Sequence, residues 1–420
     1  MAIEDLMSFL ASSPTAGHAA AQAAGILEKA GFERITEADL WDAGLPEAFF
    51  VTRETGTLIA ARRGVTPPAE SGFRLACAHT DFPGLRLRNN PVRPLLGHSM
   101  LSVEIYGSPI LPTWFDRDLG IAGTAILRTG GNGYESRLFR LPGSVCRIST
   151  PAIHLNRGVN DEGFKFDKEE HLQAMLSTDS LTEDEITSAV SSACGCQVDA
   201  IAGWSAHVVD TQPPSLTGLK GEILAAQGID DLAMCHAGLA AMLDSGRCGR
   251  TSVLCLFDNE EVGSMTGAGA QSRFLDIVLE SLAGSRSDYH RALLESIMVS
   301  IDGAHGLSPV HAGKFEKGNR PVMNGGPVIK TNAQERYATS ALTCAHFRDC
   351  ASRAGVPVQM FASRNDIPCG STIGPMLASR LGIPCVDAGN PVLSMHSIRE
   401  CTGMADHDGM ISILREHFRS

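Results

Sequence analysis

Two glutamates stand side by side in LFDNEEVGS, Leu256–Ser264: Glu260 and Glu261. They follow an apolar run, Thr251–Phe257 (TSVLCLF), and precede a glycine. Such a Val/Leu-rich run reads as a short buried strand, and positions just past a strand's carboxyl end in an open α/β sheet are where ligands collect. Adjacent residues there point in different directions, so one carboxylate can hold a cation while the other moves a proton. An isolated acidic pair equally fits an exposed turn, because carboxylates are mostly solvated.

The pair has company. His79 and Asp81 close another apolar run (FRLACAHTD), Asp230 and Asp231 open a helical pattern (GIDDLAM), Asp302 follows a third strand-like run (SIDGAHG), and His396 stands in LSMHSIRE near the C-terminus. Each is an imidazole or a carboxylate at the mouth of an element. Together they suit a pair of first-row divalent ions, zinc first among them. Singly each has a plainer reading: His79 as a hydrogen-bonded structural residue, Asp302 as a turn former, Asp230 as a helix cap.

The elements that would position these residues follow from periodicity. Asp5–Leu10 and His18–Ala30 carry apolar residues at helical spacing, the second ending at Gly31. Thr57–Ala61 and Phe73–Ala78 read as strands. From about residue 89 Pro and Gly become frequent, with a strand signal at Gly120–Leu127 and a polar helix at Thr182–Ser192. Alternation then returns: helices at Leu232–Leu243, Phe274–Ala283, Ala333–Ala354 and Pro375–Arg380, and strands at Val253–Phe257, Ile297–Ile301, Val356–Ala362 and Cys385–Ala388. This predicts an α/β fold, a sheet with helices on both faces, interrupted by an inserted β-rich domain. The expected division is residues 1–88 and 225–420 for the α/β domain and 89–224 for the insertion.

Composition narrows the class. The chain has 420 residues, 43% hydrophobic and 20% charged, which describes a folded globular protein. A net charge of −12 without a long Lys/Arg run argues against nucleic acid or an anionic membrane as the main partner. The N-terminus, MAIEDLMSFLASS, carries acids where a secretory signal carries basic residues. The 12 cysteines are scattered without a CxxC pair, as expected of reduced residues in the cytoplasm.

The order His, Asp, Glu-Glu, Asp, His lies within motifs spread nearly end to end: FLASSPTAGHAA, ACAHTDFPGLRLR, TWFDRDLGIAG, AIHLNRGVND, GIDDLAMCHAGL, FDNEEVGS, SIDGAHG, NGGPVIK and LSMHSIRE. In these the chain resembles the aspartyl aminopeptidase family of dinuclear zinc aminopeptidases. The resemblance implies two divalent ions per chain, Zn2+, or Co2+ or Mn2+ at one site. His79, Asp230 and Asp302 would hold one ion and Asp230, Glu261 and His396 the other, with Asp81 orienting His79 and Glu260 left as general base. It implies removal of single N-terminal Asp or Glu residues from peptides, with Lys330 as the cation meeting the substrate carboxylate and His305 among the substrate-binding residues. His154 would reach a neighbouring subunit's site from the inserted domain, which would carry the dimer contacts, Trp114 among its interface candidates. The family's dimers assemble into dodecamers.

This chain departs from the family's usual HTDSP, LDN and SADMAHAVHPN at Phe82, Asp231 and Ser308. These changes leave the metal-binding set intact and bear on the preference for acidic residues and on catalytic efficiency; Asp231 adds a carboxylate beside the bridging position, which bears on metal preference and leaves open which of the two acids bridges. Two other readings follow: a dinuclear hydrolase preferring neutral N-terminal residues or N-acyl amino acids, and a catalytically silent, metal-stabilised peptide-binding assembly.

Overall fold

The structure, a computed structural model, describes residues 2–39, 41 and 44–420. It divides into two compact units. One comprises residues 1–82, 214–395 and 400–420, and the other 83–213 with 396–399. The division falls at 82/83 and 213/214, where the sequence pattern suggested 88/89 and 224/225. A long strand, Gly84–Leu95, starts almost directly after HTDF and pairs within the second unit, and Ser215–Thr217 pairs with Ile223–Ala226 in the first.

The first unit is built on a nine-stranded mixed sheet. Its centre is a run of parallel neighbours, Thr251–Phe257, Phe73–His79, Ile297–Ile301 and Cys385–Gly389. The first two are buried at every position, which is why they read as continuous apolar runs and not as alternating ones. Their side chains still alternate between two cores. Phe73, Leu75 and Cys77 face one side with Phe274, Leu279 and Leu377, whereas Ala76 and Ala78 face the other with Leu239, Phe347 and Ile413. Helices therefore cover both faces, as expected.

Several elements differ from the sequence reading. The helix expected over Ala333–Ala354 begins only at Ala341, where Ser340 and Thr343 form reciprocal capping bonds. The strand expected over Val356–Ala362 is confined to Gln359–Ala362, after Pro357. Helices Arg286–Leu294 and Met404–Arg419 were not read from the sequence. Nor was a five-stranded sheet carrying Ala304–His305, Pro391–Leu393 and Glu400–Gly403.

The second unit holds a six-stranded antiparallel sheet. Helix Glu183–Cys194 packs on its core through Ile186 and Val190. Trp114 is fully buried in that core, so it is a packing residue and not an interface anchor. The 12 cysteines are all free. Among the described residues no helix is long and apolar enough to cross a membrane.

Candidate metal centre

Parallel pairing puts the chemistry on one edge of the sheet. His79 ends its strand opposite Phe257, so the turn that follows Phe257 delivers Asp258 to Glu261 beside it. On the other flank Ile297–Ile301 runs parallel to the same strand and is followed by Asp302. Asp230 and Asp231 enter from a different element, the start of helix Ile229–Ser245. Its first turn departs from helical geometry at both residues, which a cis peptide bond joins.

Hydrogen bonds tie these pieces to one another. Asp81 accepts the backbone N–H of Glu260 at 3.0 Å and that of Glu261 at 3.1 Å, one on each carboxylate oxygen. The Nδ1 of His79 lies 2.9 Å from the carbonyl oxygen of Asp81; an Nδ1–H donated there leaves Nε2 as the free lone pair of the ring. The backbone N–H of His79 donates to Oδ2 of Asp231 at 3.1 Å, and the thiol of Cys235 donates to the carbonyl of His79 at 2.9 Å. The N–H of Asp230 donates to Oε2 of Glu400 at 2.9 Å. The sequence reading did not single out Glu400, although it closes the LSMHSIRE motif, nor that Asp81 would hold the glutamate turn as well as His79.

Close approach is built into the backbone as well. A Cβ on Gly303 would stand 2.7 Å from Oδ1 of Asp230, so only glycine lets the segment after Asp302 pass that carboxylate. Phe82 packs its ring where a Cβ on Gly228 would stand, 2.9 Å away. The Phe at this position thus supports the turn that leads into Asp230.

The crowding of carboxylates shifts their acidity. Burial, with Asp302, Asp81 and Asp230 nearby, pushes Glu260 up to about 7. Burial raises Asp231 well above the carboxylate range although His79 opposes it, and raises Asp302 although the Lys330 ammonium partly offsets it. Burial alone would lower His79, but Asp231, Asp81 and Glu260 together push it well up. Such a concentration of negative charge around one imidazole calls for cations.

The donor set fits them. Ligand atoms of His79, Glu260 and Glu261 lie within 4.8 Å of one another, and so do those of His79, Asp230 and Asp231. Imidazole and carboxylate are the donors zinc takes alongside thiolate, and Oδ1 of the buried Asp231 has no hydrogen-bond partner.

The other expected residues are placed as follows. Lys330 is buried, against the alternative of an exposed lysine. Its ammonium donates to the carboxylate of Asp302 at 3.0 Å and to the carbonyl oxygens of Asp302 and Gly303 at 2.9 and 3.1 Å. His305 is exposed on its short strand, its ring 5.4 Å from that of Phe361. Ser308 bonds the ring of His311 at 3.1 Å. His154 lies exposed in the second unit, in the short helical turn Ile153–Leu155. His396 belongs by its packing to the second unit, where its Nδ1 lies 3.1 Å from the carbonyl of Ser108. Its neighbours on either side in sequence, Pro391–Leu393 and Glu400–Gly403, pair as a hairpin in the first.

Comparison with known proteins decides the family. Residues 9–418 match the family model of aminopeptidase I zinc metalloproteases, M18. The chain belongs to the M18 family of zinc aminopeptidases. Its M18 relatives include the "Probable M18 family aminopeptidase 2" of Pseudomonas aeruginosa strain UCBPP-PA14, 39% identical over 422 residues covering 99% of this chain and 98% of that protein. The protein of the same name from Pseudomonas entomophila is 40% identical, covering 99% and 97%. Among solved structures, a chain of the Ape4 and Nbr1 complex superposes with a TM-score of 0.96 at 30% identity, covering 100% of this chain and 85% of that one. The S. cerevisiae mApe1 dodecamer gives 0.88 at 26% identity, covering 99% and 95%. As an M18 enzyme the chain is a hydrolase acting on peptides, with the mixed α/β zinc-peptidase fold anticipated from its motifs.

Proposed function

We propose that this M18 enzyme releases single N-terminal residues, Asp or Glu in preference, from peptides at a centre of two divalent ions. His79, Asp230 and Asp302 hold one ion and Asp230, Glu261 and His396 the other, Zn2+ at both or Co2+ or Mn2+ at one. When bound, such ions would lower the pKa of a water and polarise the scissile carbonyl. Glu260 would serve as the general base, accepting the proton of the attacking water and handing it to the leaving amine. The observation that carries this reading is Glu260 itself. Its ligand atom and those of His79 and Glu261 lie within 4.8 Å of one another, and its backbone is fixed by Asp81, so its carboxylate is placed where a proton carrier is needed.

Ions held by these residues would offer a docking point for a free α-amine, and cleavage would then be confined to chain ends. Lys330 supplies the positive charge for an acidic first residue, and His305 and His154 complete substrate binding. A specific observation favours the second reading, a preference for neutral N-terminal residues or N-acyl amino acids: all three N–H groups of Lys330 have acceptors within the protein. Occupancy of Asp302 by an ion would return one of these donors to the substrate. A panel of chromogenic aminoacyl substrates separates the two readings.

The second unit serves as a dimerisation domain, and the dimers build a dodecamer like that of the S. cerevisiae protein. The free cysteines agree with the cytoplasm as its compartment. The decisive experiment is Glu260→Gln with metal analysis. About two ions per chain should be retained while hydrolysis falls by about 10²–10⁴-fold; unchanged turnover would refute the assignment. A catalytically silent assembly is separated by the same assay, since it predicts no turnover in the unsubstituted enzyme.

A further inference from the structure

We infer that Asp231 is itself a metal ligand, donating its Oδ1 to the ion held by His79 and Asp230, so that this site is richer in anionic oxygen than the motif-derived ligand set supplies. The inference rests on the binuclear reading of the centre and deepens it.

Asp231 is completely buried. Its two oxygens have different fates. Oδ2 accepts the backbone N–H of His79 at 3.1 Å, which locks the side chain in place. Oδ1 is shielded from solvent and has no hydrogen-bond partner. A buried carboxylate oxygen in that condition has lost its hydration and gained nothing. Among the described residues no donor reaches it; the nearby Cys235 thiol donates instead to the carbonyl of His79. The charged groups acting on it are the imidazole of His79, already turned through Nδ1 to Asp81, and the carboxylates of Asp230 and Asp302. Ligand atoms of His79, Asp230 and Asp231 lie within 4.8 Å of one another, close enough to share one ion.

The residue type matters as much as the position. An asparagine here could accept the His79 N–H with its amide oxygen, but it would then aim an NH2 group at the site, and two donors cannot cradle a cation. Aspartate alone satisfies the His79 backbone and presents a second anionic oxygen inward. Additional carboxylate donors favour harder ions such as Mn2+ relative to zinc. The enzyme should therefore discriminate less sharply between Zn2+ and Mn2+ than it would with an amide at this position.

The test compares the full chain with Asp231→Asn, using zinc and manganese alone as probes, in competition with a chromophoric chelator. In the unsubstituted protein two ions should bind. In the variant, one of the two should bind about 10–100-fold more weakly, with the larger loss for Mn2+, while thermal unfolding of the chelator-treated protein shows the fold intact. Two ions in both proteins with identical affinities would overturn the role of Asp231 and leave the binuclear centre standing. Failure of the unsubstituted protein to bind ions stoichiometrically would overturn the centre itself. Should the variant not fold, a zinc-loaded crystal structure of the unsubstituted enzyme decides: an Asp231 oxygen at about 2.0–2.2 Å from the ion supports the inference, and one beyond about 3 Å overturns it.

Discussion

The carboxylate of Asp81 accepts the backbone N–H of Glu260 at 3.0 Å. Its other oxygen does the same for Glu261 at 3.1 Å. One side chain thus fixes the turn that carries both glutamates, while the backbone carbonyl oxygen of the same residue accepts from the ring of His79. Asp81→Ala should lower both zinc affinity and kcat by about 10–100-fold. Asp81→Asn keeps one acceptor and should fall between the two. Chelator competition and steady-state kinetics on the same preparations check this, and a loss confined to kcat would show that Asp81 serves Glu260 alone.

Lys330 is the partner of Asp302 inside the protein, at 3.0 Å with both side chains nearly out of solvent. Replacing it with methionine leaves a buried carboxylate without its cation. Lys330→Met should destabilise the chelator-treated protein by about 3–5 kcal/mol, measured by urea unfolding. Added zinc should recover part of that loss, because an ion at Asp302 substitutes for the missing charge. Equal losses with and without zinc would separate Lys330 from the metal site.

Gly303→Ala tests the narrow passage beside Asp230. The new methyl would begin 2.7 Å from Oδ1 of that residue, with the end of the Met395 side chain the next obstacle at 3.1 Å. Displacing the Asp230 carboxylate should weaken metal binding on the order of tenfold, with secondary structure by circular dichroism unchanged. An affinity equal to that of the unsubstituted enzyme would show that the Asp230 carboxylate keeps its place or is not a ligand.

Acid should unfold the first unit through its buried histidines. His236 and His407 meet at 3.0 Å between helices Ile229–Ser245 and Met404–Arg419. Burial pushes His236 down to about 4 and His407 well below its usual range. A histidine held neutral in the fold but free to protonate once unfolded contributes stability that is complete above about pH 6.5 and is lost as pH falls toward the folded value. For His236 the loss is on the order of 3 kcal/mol. Urea unfolding between pH 7 and pH 4 should show this decline, and His236→Phe, beside Phe9, should flatten it.

What the sequence revealed depended on how local each signal was. Phe274–Ala283 and Ile297–Ile301 form over the stretches their periodicity marks, because a helix stripe or a buried strand is written in neighbouring residues. Ala333–Ser340 misled because its Ala, Gln and Glu resemble helix-forming composition, whereas the capping bonds of Ser340 set the start. At the candidate site the residue types and strand-end positions were visible, since apolar runs end at His79, at Phe257 and at Ile301. Their partners were not. Asp231 meets His79 across 152 positions, and Lys330 is buried against Asp302. No pattern within a window of the chain encodes either contact.

The bond from the N–H of Asp230 to Glu400 spans 170 positions. The turn bearing Asp230 therefore waits for the strand Glu400–Gly403, and an amino-terminal fragment that stops short of Glu400 cannot hold that turn by this bond.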